Sequence, residues 1–402
     1  MGKKNSHLAA QGYPFTDIFA RINGVSSDLA GQPKLIAWML EEAALQSNWQ
    51  IGALLGTERE LTGRFSVSRD TLREAIRIVE ARGSMHMQRG RGGGLRISEP
   101  NVDDAAAALA AYLQARNFTP AGLSSTVSAA TPVFAMLGGN ELVVLLFQQT
   151  AGMLSTGKMP GMASTNRAVT IASRLLETYG PPPENGIFLG GEALLSEQLG
   201  CTRPGLREAL RLLGDLSILT VRRGRGGGFS LVQPSPDAMV RRLFSLIASR
   251  QLKLEDLVPT IWALNLIRLR LAMRNLQVLG DQARQQCHDR IVSILAQHSE
   301  PVRWFNLQRE LDQICNNSLI TILTESFIYF LARLNQTDER WNAAIARWNE
   351  IDPALLAAGG AFAQALRDGN EPEAERLHQK IHSHISWTLD CPDFPQGQPR
   401  PE

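Results

Sequence analysis

The chain has 402 residues, of which 44% are hydrophobic and 20% are charged. Its 41 lysine and arginine residues nearly balance 39 aspartate and glutamate residues, so a field that attracts nucleic acid can only be local. This length predicts two to four domains, each with a core of its own.

Signals for disulfides, membranes and export are weak. The four cysteines, Cys201, Cys287, Cys315 and Cys391, are far apart and form no CxxC motif, which is typical of free thiols in a reducing compartment. The longest apolar runs, such as residues 142–147, are too short to span a membrane, and the N-terminus lacks the apolar core of a signal peptide. We therefore expect a cytoplasmic protein with no membrane partner.

The first predicted elements are three helices. Apolar residues at helical spacing in KLIAWMLEEAAL (34–45) predict the first helix. In the segment TERELTGRF, Thr57 followed three residues later by Glu60 forms a capping box, which predicts that a second helix begins after Thr57. Ser68 is the predicted N-cap of a third helix, which runs to Gly83, a residue type that favours the position after a helix end.

The third helix is predicted to be amphipathic. Arg69, Arg73 and Arg77 repeat every four residues on one face, and another face is apolar, with Leu72, Ala75, Ile76 and Val79. The next segment, MHMQRGRGGGLRI (85–97), alternates around a glycine-rich tip and predicts a β-hairpin. From residue 59 to residue 96 there are nine arginines and four acidic residues, so positive charge is concentrated here.

Two short helices joined by a tight turn and followed by a hairpin indicate a winged helix-turn-helix. In this fold the start of the second helix enters the major groove of DNA, where arginine bonds guanine or phosphate. A glycine-rich wing lets the backbone approach closely, and its arginines reach the minor groove or clamp a phosphate.

The pattern recurs at an offset of 134 residues. SRDTLREAIR (68–77) aligns with TRPGLREALR (202–211), and RGRGGG at 89–94 aligns with the same hexapeptide at 223–228. The register holds without a gap over roughly 70 residues, which indicates an internal duplication of a domain-sized unit.

The first copy resembles the winged-helix domain of the GntR family of bacterial transcription regulators. The segments ERELT and VSRDTLREAI and the glycine-rich wing carry this resemblance, although Gly56 stands where the family usually has proline. The resemblance implies that these residues contact DNA: Arg59, Ser68, Arg69, Thr71, Arg73, Arg89, Gly90 and Arg91.

The second copy resembles the family less closely. Ala193 stands at the position of Arg59, and Pro204 and Gly205 stand where the first copy has an aspartate and a threonine. We therefore expect it to bind DNA more weakly or with looser sequence preference. The family positions that it retains, as candidate DNA contacts, are Thr202, Arg203, Arg207, Arg223, Gly224 and Arg225.

Residues 236–390 are predicted to be almost wholly helical, with at least six amphipathic helices in a bundle large enough for a pocket. The segments ELDQICNNSLITIL and ALRDGNEPEAERL resemble the FCD domain of the FadR subgroup, which senses effectors and dimerises. Residues 101–155 look like a truncated version of this bundle, which we expect to pack on the C-terminal bundle or on a partner subunit.

The FCD resemblance implies a metal held by an aspartate and three histidines, but this sequence departs from that pattern. His378 and His382 are four residues apart without a carboxylate partner, so we expect them to be solvated rather than to bind metal. We predict neither a metal nor another cofactor. None of the residues aligned with the family's ligands is a usual metal ligand: Trp304, Gln308, Gly359 and approximately Ile381.

The predicted fold class is mostly α, with two winged helix-turn-helix domains, each carrying a small β-hairpin wing, and an all-α helical bundle. The predicted regions are an N-terminal extension (1–32), the first winged domain (33–98), a truncated helical segment (99–160), the second winged domain (161–233), the FCD-like effector and dimerisation domain (234–390) and a tail (391–402).

The predicted function is a sequence-specific transcriptional regulator that binds double-stranded DNA, responds to a small-molecule effector in the bundle and forms a homodimer. One chain could act as a pseudo-dimer on a palindrome-like site, whereas a dimer, which we favour, would present four winged helices to a longer operator. The alternative is an effector-independent DNA-binding or interaction protein that uses the bundle only for dimerisation. Arginines on a helix face can also be a plain solvated surface, and the second copy can serve only in packing.

An enzyme is not expected. Some GntR relatives carry a transaminase fold, but the region after residue 236 is too short and too helical for it. Neither RGRGGG segment is followed by the GK[ST] of a nucleotide-binding loop, and no HExxH, Ser/His/Asp or paired-carboxylate motif occurs. We therefore predict no catalytic residues.

Overall fold

The structure is a computed structural model, which describes residues 32–137, 140–156, 167–222, 224, 226–297, 302–335 and 353–387. These residues are mostly helical and include two small antiparallel sheets, which confirms the mostly α class. The described residues of 20–123 and 141–252 form one compact unit, the N-terminal unit. Those of 124–140 and 253–402 form another, the C-terminal unit.

The N-terminal unit begins with a first set of elements. It contains α1 (Gln32–Gln46), β1 (Leu54–Gly56), α2 (Glu58–Phe65), α3 (Arg69–Ala81), β2 (Met85–Gln88), β3 (Gly94–Ile97) and α4 (Val102–Ala115). Strand β3 lies between β1 and β2 and is antiparallel to both. Met85 pairs with Ile97 and Gln88 with Gly94, so residues 89–93 form the tip of the predicted hairpin.

The helices α2 and α3 have the predicted caps. Thr57 Oγ1 accepts the N–H of Glu60 at 3.3 Å, and the Glu60 carboxylate accepts the N–H of Thr57 at 2.7 Å. Ser68 caps α3, and Gly83 follows the end of the helix with a φ of +73°. The apolar face of α3, with Leu72, Ala75, Ile76 and Val79, is buried, and α1 packs against this helix.

Two helices follow the first set, α5 (Pro120–Leu137) and α6 (Glu141–Thr156). Helix α6 packs against α4 within the N-terminal unit, whereas residues 124–137 of α5 belong to the C-terminal unit. The region 99–160 therefore contributes helices to both units.

A second set of elements completes the N-terminal unit. It contains α7 (Arg167–Tyr179), β4 (Ile187–Gly190), α8 (Glu192–Gln198), α9 (Arg203–Asp215), β5 (Leu219–Arg222), β6 (Gly228–Leu231) and α10 (Pro236–Ser249). Strand β6 lies between β4 and β5, which is the strand order of the first sheet.

The two sets keep one offset. Helices α3 and α9 each have 13 residues and begin 134 residues apart, at Arg69 and Arg203. Strands β2 and β5, strands β3 and β6, and helices α4 and α10 begin at the same offset. The order and lengths of these elements therefore recur along the chain.

The C-terminal unit continues with six described helices. They are α11 (Leu254–Leu279), α12 (Asp281–Gln297), α13 (Val302–Cys315), α14 (Ser318–Asn335), α15 (Pro353–Asp368) and α16 (Glu371–Trp387). The long helix α11 packs against α12, α13, α14 and α16, and α15 packs against α12 and α16. Within the described ranges, no helix combines the length and the apolar character that crossing a bilayer requires.

Candidate nucleic-acid interface

The turn between α2 and α3 fixes the start of α3. Ser66 ends α2 in the left-handed region with a φ of +52°. Ser68 Oγ accepts the N–H of Thr71 at 3.1 Å and lies 2.8 Å from the Thr71 hydroxyl. The two hydroxyls that were predicted to contact DNA are therefore engaged in the helix cap, and they position the N-terminus of α3.

Arginines project from the starts of α2 and α3. Arg59 and Arg69 are exposed, and neither forms a hydrogen bond or ion pair with a residue that the structure describes. Arg73, whose side chain is 56% exposed, donates from Nε to Glu58 at 3.0 Å. A surface ion pair contributes only about 0–1 kcal/mol, so a phosphate can replace Glu58 at low cost.

The wing tip requires glycine for geometric reasons. Gly90 has a φ of +99°, and its carbonyl accepts the N–H of Gly93 at 2.9 Å. A Cβ at Gly93 would lie only 2.4 Å from the backbone oxygen of Gln88, so a larger residue does not fit. Arg89 and Arg91 flank Gly90 in sequence, are exposed, and have no partner in the described part of the chain.

Arg96 supports the wing, and sequence reasoning did not identify it. Its Nη1 donates to the carbonyl of Gly52 at 2.7 Å, and its Nε donates to the side chain of Gln88. These bonds join β3 to β2 and to the loop before β1. The alternation in GLRI, with Leu95 and Ile97 buried, was the available signal that Arg96 faces outward.

The second set presents a similar helix start. Thr202 caps α9 by accepting the N–H of Gly205 at 3.4 Å, and Arg203 is exposed without a partner among the described residues. Arg207 Nε lies 2.9 Å from the carboxylate of Glu192, an arrangement that repeats the first set's pair of Arg73 and Glu58 at the offset of 134. Sequence reasoning missed both glutamates, since an acidic first turn is already favoured by the helix dipole. Gly224 lies at the wing tip, and Arg223 and Arg225 lie outside the described residues.

The surface around α9 is less suited to DNA than that around α3. Exposed Ala193 occupies the position of Arg59. Phe188, Leu194 and Val221 are 60%, 48% and 59% exposed, so apolar groups occupy this surface. Residues 193–230 contain six arginines and three acidic residues, fewer arginines than the nine of residues 59–96.

The positions aligned with the FCD metal ligands lie in the interior of the C-terminal unit. A Cβ at Gly359 would lie 3.1 Å from the ring of Trp304, so this ring packs directly against the backbone of α15. Gln308 Nε2 lies 3.3 Å from His382 Nε2, beside Ile381, which is 1% exposed. Helices α13, α15 and α16 all contribute to this interior.

The prediction that His378 and His382 are solvated is wrong. They are 1% and 9% exposed, and their rings lie 4.4 Å apart, because this face of α16 packs into the helical core. Burial, and then the charge of Arg268, lowers the pKa of His382 to about 4, and burial lowers the pKa of His378 well below its usual value. Among the described residues, no group of three histidine, cysteine or acidic side chains is placed to hold a metal.

Residues 34–94 match the family model of the bacterial regulatory proteins, gntR family. The match runs from α1 to the start of β3 and so includes the predicted helix-turn-helix and most of the hairpin. A comparison with curated proteins finds no match for the chain. The matched segment supports a DNA-binding transcription regulator.

Proposed function

We propose that the chain is a sequence-specific DNA-binding transcriptional regulator and that its first set is the principal reader of DNA. The match of residues 34–94 to a regulator family carries this proposal. The exposed, unpartnered arginines Arg59, Arg69, Arg89 and Arg91 support it, since they can bond guanine or phosphate without first breaking an ion pair.

Each part of the first set has a proposed role on DNA. The start of α3 enters the major groove, where Arg69 reads a base edge and Arg73 exchanges Glu58 for a phosphate. Arg59 contacts the backbone from the start of α2. The rigid tip at Gly90 directs Arg89 and Arg91 toward the adjacent minor groove or its phosphates.

The second set is proposed to be a second winged helix-turn-helix. Its element order, strand order and cap at Thr202 support this assignment. Arg203 and Arg207 would face DNA with the wing residues Arg223, Gly224 and Arg225. We propose that it reads DNA less stringently, because Ala193 provides no cation at the start of α8.

The test of this function is a selection of bound sequences from a random DNA pool. The chain should enrich one reproducible motif, and the Arg69→Ala variant should fail to enrich it. A pool that stays random even at low salt, where phosphate contacts are strongest, would show that the protein does not read DNA sequence.

We further propose that the C-terminal unit binds a small-molecule effector without a metal. Several buried polar atoms there have no hydrogen-bond partner among the described residues: both ring nitrogens of His378, Nε1 of Trp304 and Oε1 of Gln308. Such atoms are costly to leave unbonded, and a small ligand with acceptor oxygens, such as a carboxylic acid, would satisfy the donors. Homodimerisation through this unit stays a prediction.

The second candidate is an effector-independent regulator, which the packing of Trp304 against Gly359 favours because it fills part of this interior. A panel of small carboxylic acids separates the two functions. An acid that raises the unfolding temperature of the chain, changes operator affinity and loses both effects in His378→Leu supports the effector site. A panel that changes neither property supports the second candidate.

A further inference from the structure

The two sets of the N-terminal unit contact each other reciprocally. Helix α4 of the first set packs on α7 of the second, and α10 of the second set packs on α1 of the first. Helix α4 also packs on α10, and α3 packs on α9. Since α4 is the counterpart of α10 and α1 is the counterpart of α7, each crossed contact has an equivalent in the opposite direction.

Side chains repeat this reciprocity. Arg250 of the second set forms an ion pair with Glu99 of the first. Arg116 of the first set donates from Nη1 to Gln233 of the second at 3.5 Å. Arg250 follows Arg116 by 134 residues, and Gln233 follows Glu99 by the same interval. Reciprocal pairs of this kind characterise the interface of a twofold dimer, and here both halves belong to one chain.

A buried ionic cluster lies between the two sets. Arg82 of the first set donates to Asp215 of the second from Nε at 3.0 Å and from Nη2 at 2.7 Å. Its Nη1 donates to Glu41 at 2.6 Å, and Arg242 donates to Asp215 at 3.4 Å. These four side chains belong to residues that are at most 7% exposed.

This cluster breaks the symmetry of the interface. The residues 134 positions away from its four members are all apolar: Leu175, Leu216, Ala81 and Ala108. Two first sets could not pair in this way without depriving each Arg82 of Asp215, and two second sets would deprive each Asp215 of Arg82. Removing one partner of a buried ion pair is strongly destabilising, so the cluster selects the pairing of a first set with a second set.

We propose that one chain is its own dimer for DNA binding: it occupies a bipartite operator with two unequal half-sites, held at one spacing by the paired sets. The reading of DNA in this inference rests on the proposed function, whereas the pairing of the sets does not.

The length of the helices limits the spacing. Helices α3 and α9 have 13 residues each, about 20 Å, and Arg82 and Asp215 join them at their C-terminal ends. Their N-termini therefore cannot reach grooves two DNA turns apart, about 70 Å. The two half-sites lie about one turn apart or closer.

Cross-linking tests the pairing without DNA. The parent is the full chain with Cys201 and Cys391 replaced by serine, and the test variant adds Arg116→Cys and Gln233→Cys. A short bis-maleimide should join the two cysteines within one chain, and a mixture of the two single-cysteine variants should give no product of doubled mass. A doubled mass in the mixture, or no cross-link in a double variant that melts like its parent, would overturn the pairing.

Operator spacing tests the consequence for DNA. The selected operator should bind one chain, and inserting about half a turn, ~5 bp, between its half-sites should lower affinity at least tenfold. Two chains on the shortest operator, or affinity that the insertion leaves unchanged, would contradict the proposal. If no DNA sequence is selected at all, the proposed function fails, and the cross-linking result still decides whether the sets pair.

Discussion

The first and second sets have the same framework and different surfaces. Both contain the capped recognition helix, the three-stranded sheet and the ion pair from the recognition helix to the helix before it, formed by Arg73 in one set and Arg207 in the other. At the start of that preceding helix, Arg59 of the first set is replaced by Ala193, and Phe188 is exposed on the second sheet. Buried residues thus maintain the fold while the contact residues change, so a common fold does not imply equal affinity for DNA.

The largest effect is expected where the two sets meet. Asp215→Asn should lower the free energy of unfolding by about 3–5 kcal/mol, because it leaves the buried Arg82 and Arg242 without their shared carboxylate. Glu41→Gln is the matched control in the same cluster. Burial already raises the pKa of Glu41, so neutralising it should cost less, as denaturant unfolding can measure. An equal loss in the two variants would contradict this ranking.

The two carboxyl groups should also give opposite pH dependence. Burial opposes the charge of Asp215, but Arg82 outweighs it and holds the pKa at about 2, against an ordinary value of 3.8. The stabilisation from Asp215 is therefore complete above about pH 4 and is lost as pH falls toward 2, by roughly 1 kcal/mol between pH 6 and pH 3. The cost of Asp215→Asn should shrink in acid, whereas that of Glu41→Gln should shrink as pH rises. Unfolding curves at several pH values measure both trends.

Equivalent arginines in the recognition helices compare the two readers. Arg69→Ala should cost roughly 1–3 kcal/mol of binding to the selected operator, and Arg203→Ala should cost less. Fluorescence anisotropy at fixed salt measures both affinities. Unchanged affinity in Arg69→Ala would disprove the assignment of α3 as recognition helix, and an equal or larger loss in Arg203→Ala would reverse the order of the two sets.

The helix caps sharpen the comparison of the frameworks. Ser68→Ala should cost about 1 kcal/mol of unfolding free energy, because Ser68 Oγ accepts the N–H of Thr71 at 3.1 Å. Thr202→Ala should cost less, since its capping bond is longer, at 3.4 Å. Thermal unfolding of the two variants tests this order, which a larger loss in Thr202→Ala would refute.

The smallest effect concerns the ion pairs that hold the recognition arginines. Glu58→Gln should change stability by less than about 1 kcal/mol and should raise affinity for DNA slightly, because it frees Arg73 for phosphate. Glu192→Gln is the equivalent change in the second set and should raise affinity less. A fall in affinity for Glu58→Gln would mean that the ion pair positions Arg73 for its contact.

Local signals allowed much of the N-terminal unit to be predicted. The capping box at Thr57, the N-cap at Ser68 and the glycine-rich hairpin each depend on residues close together in sequence. The cluster of Arg82 and Asp215 could not be found in this way, because it exists only when the two sets pair. Its available signal was a charged residue aligned with an apolar one, as Arg82 is with Leu216.

The histidines of α16 show a second limit of sequence reasoning. Four-residue spacing places His378 and His382 on one face of a helix but does not reveal whether that face meets solvent or core. Their burial depends on packing within the C-terminal unit, including the approach of His382 to Gln308 on α13. Tertiary contacts of this kind leave no periodic pattern in the sequence.

The account's central claim is that one chain brings two unequal readers to one operator. Hydroxyl-radical footprinting of a complex shown by native mass spectrometry to contain a single chain tests it most directly. The account predicts two protected patches about one helical turn apart, with Arg69→Ala removing the stronger patch and Arg203→Ala the weaker. A single patch that disappears in Arg69→Ala and is unchanged in Arg203→Ala would contradict the claim.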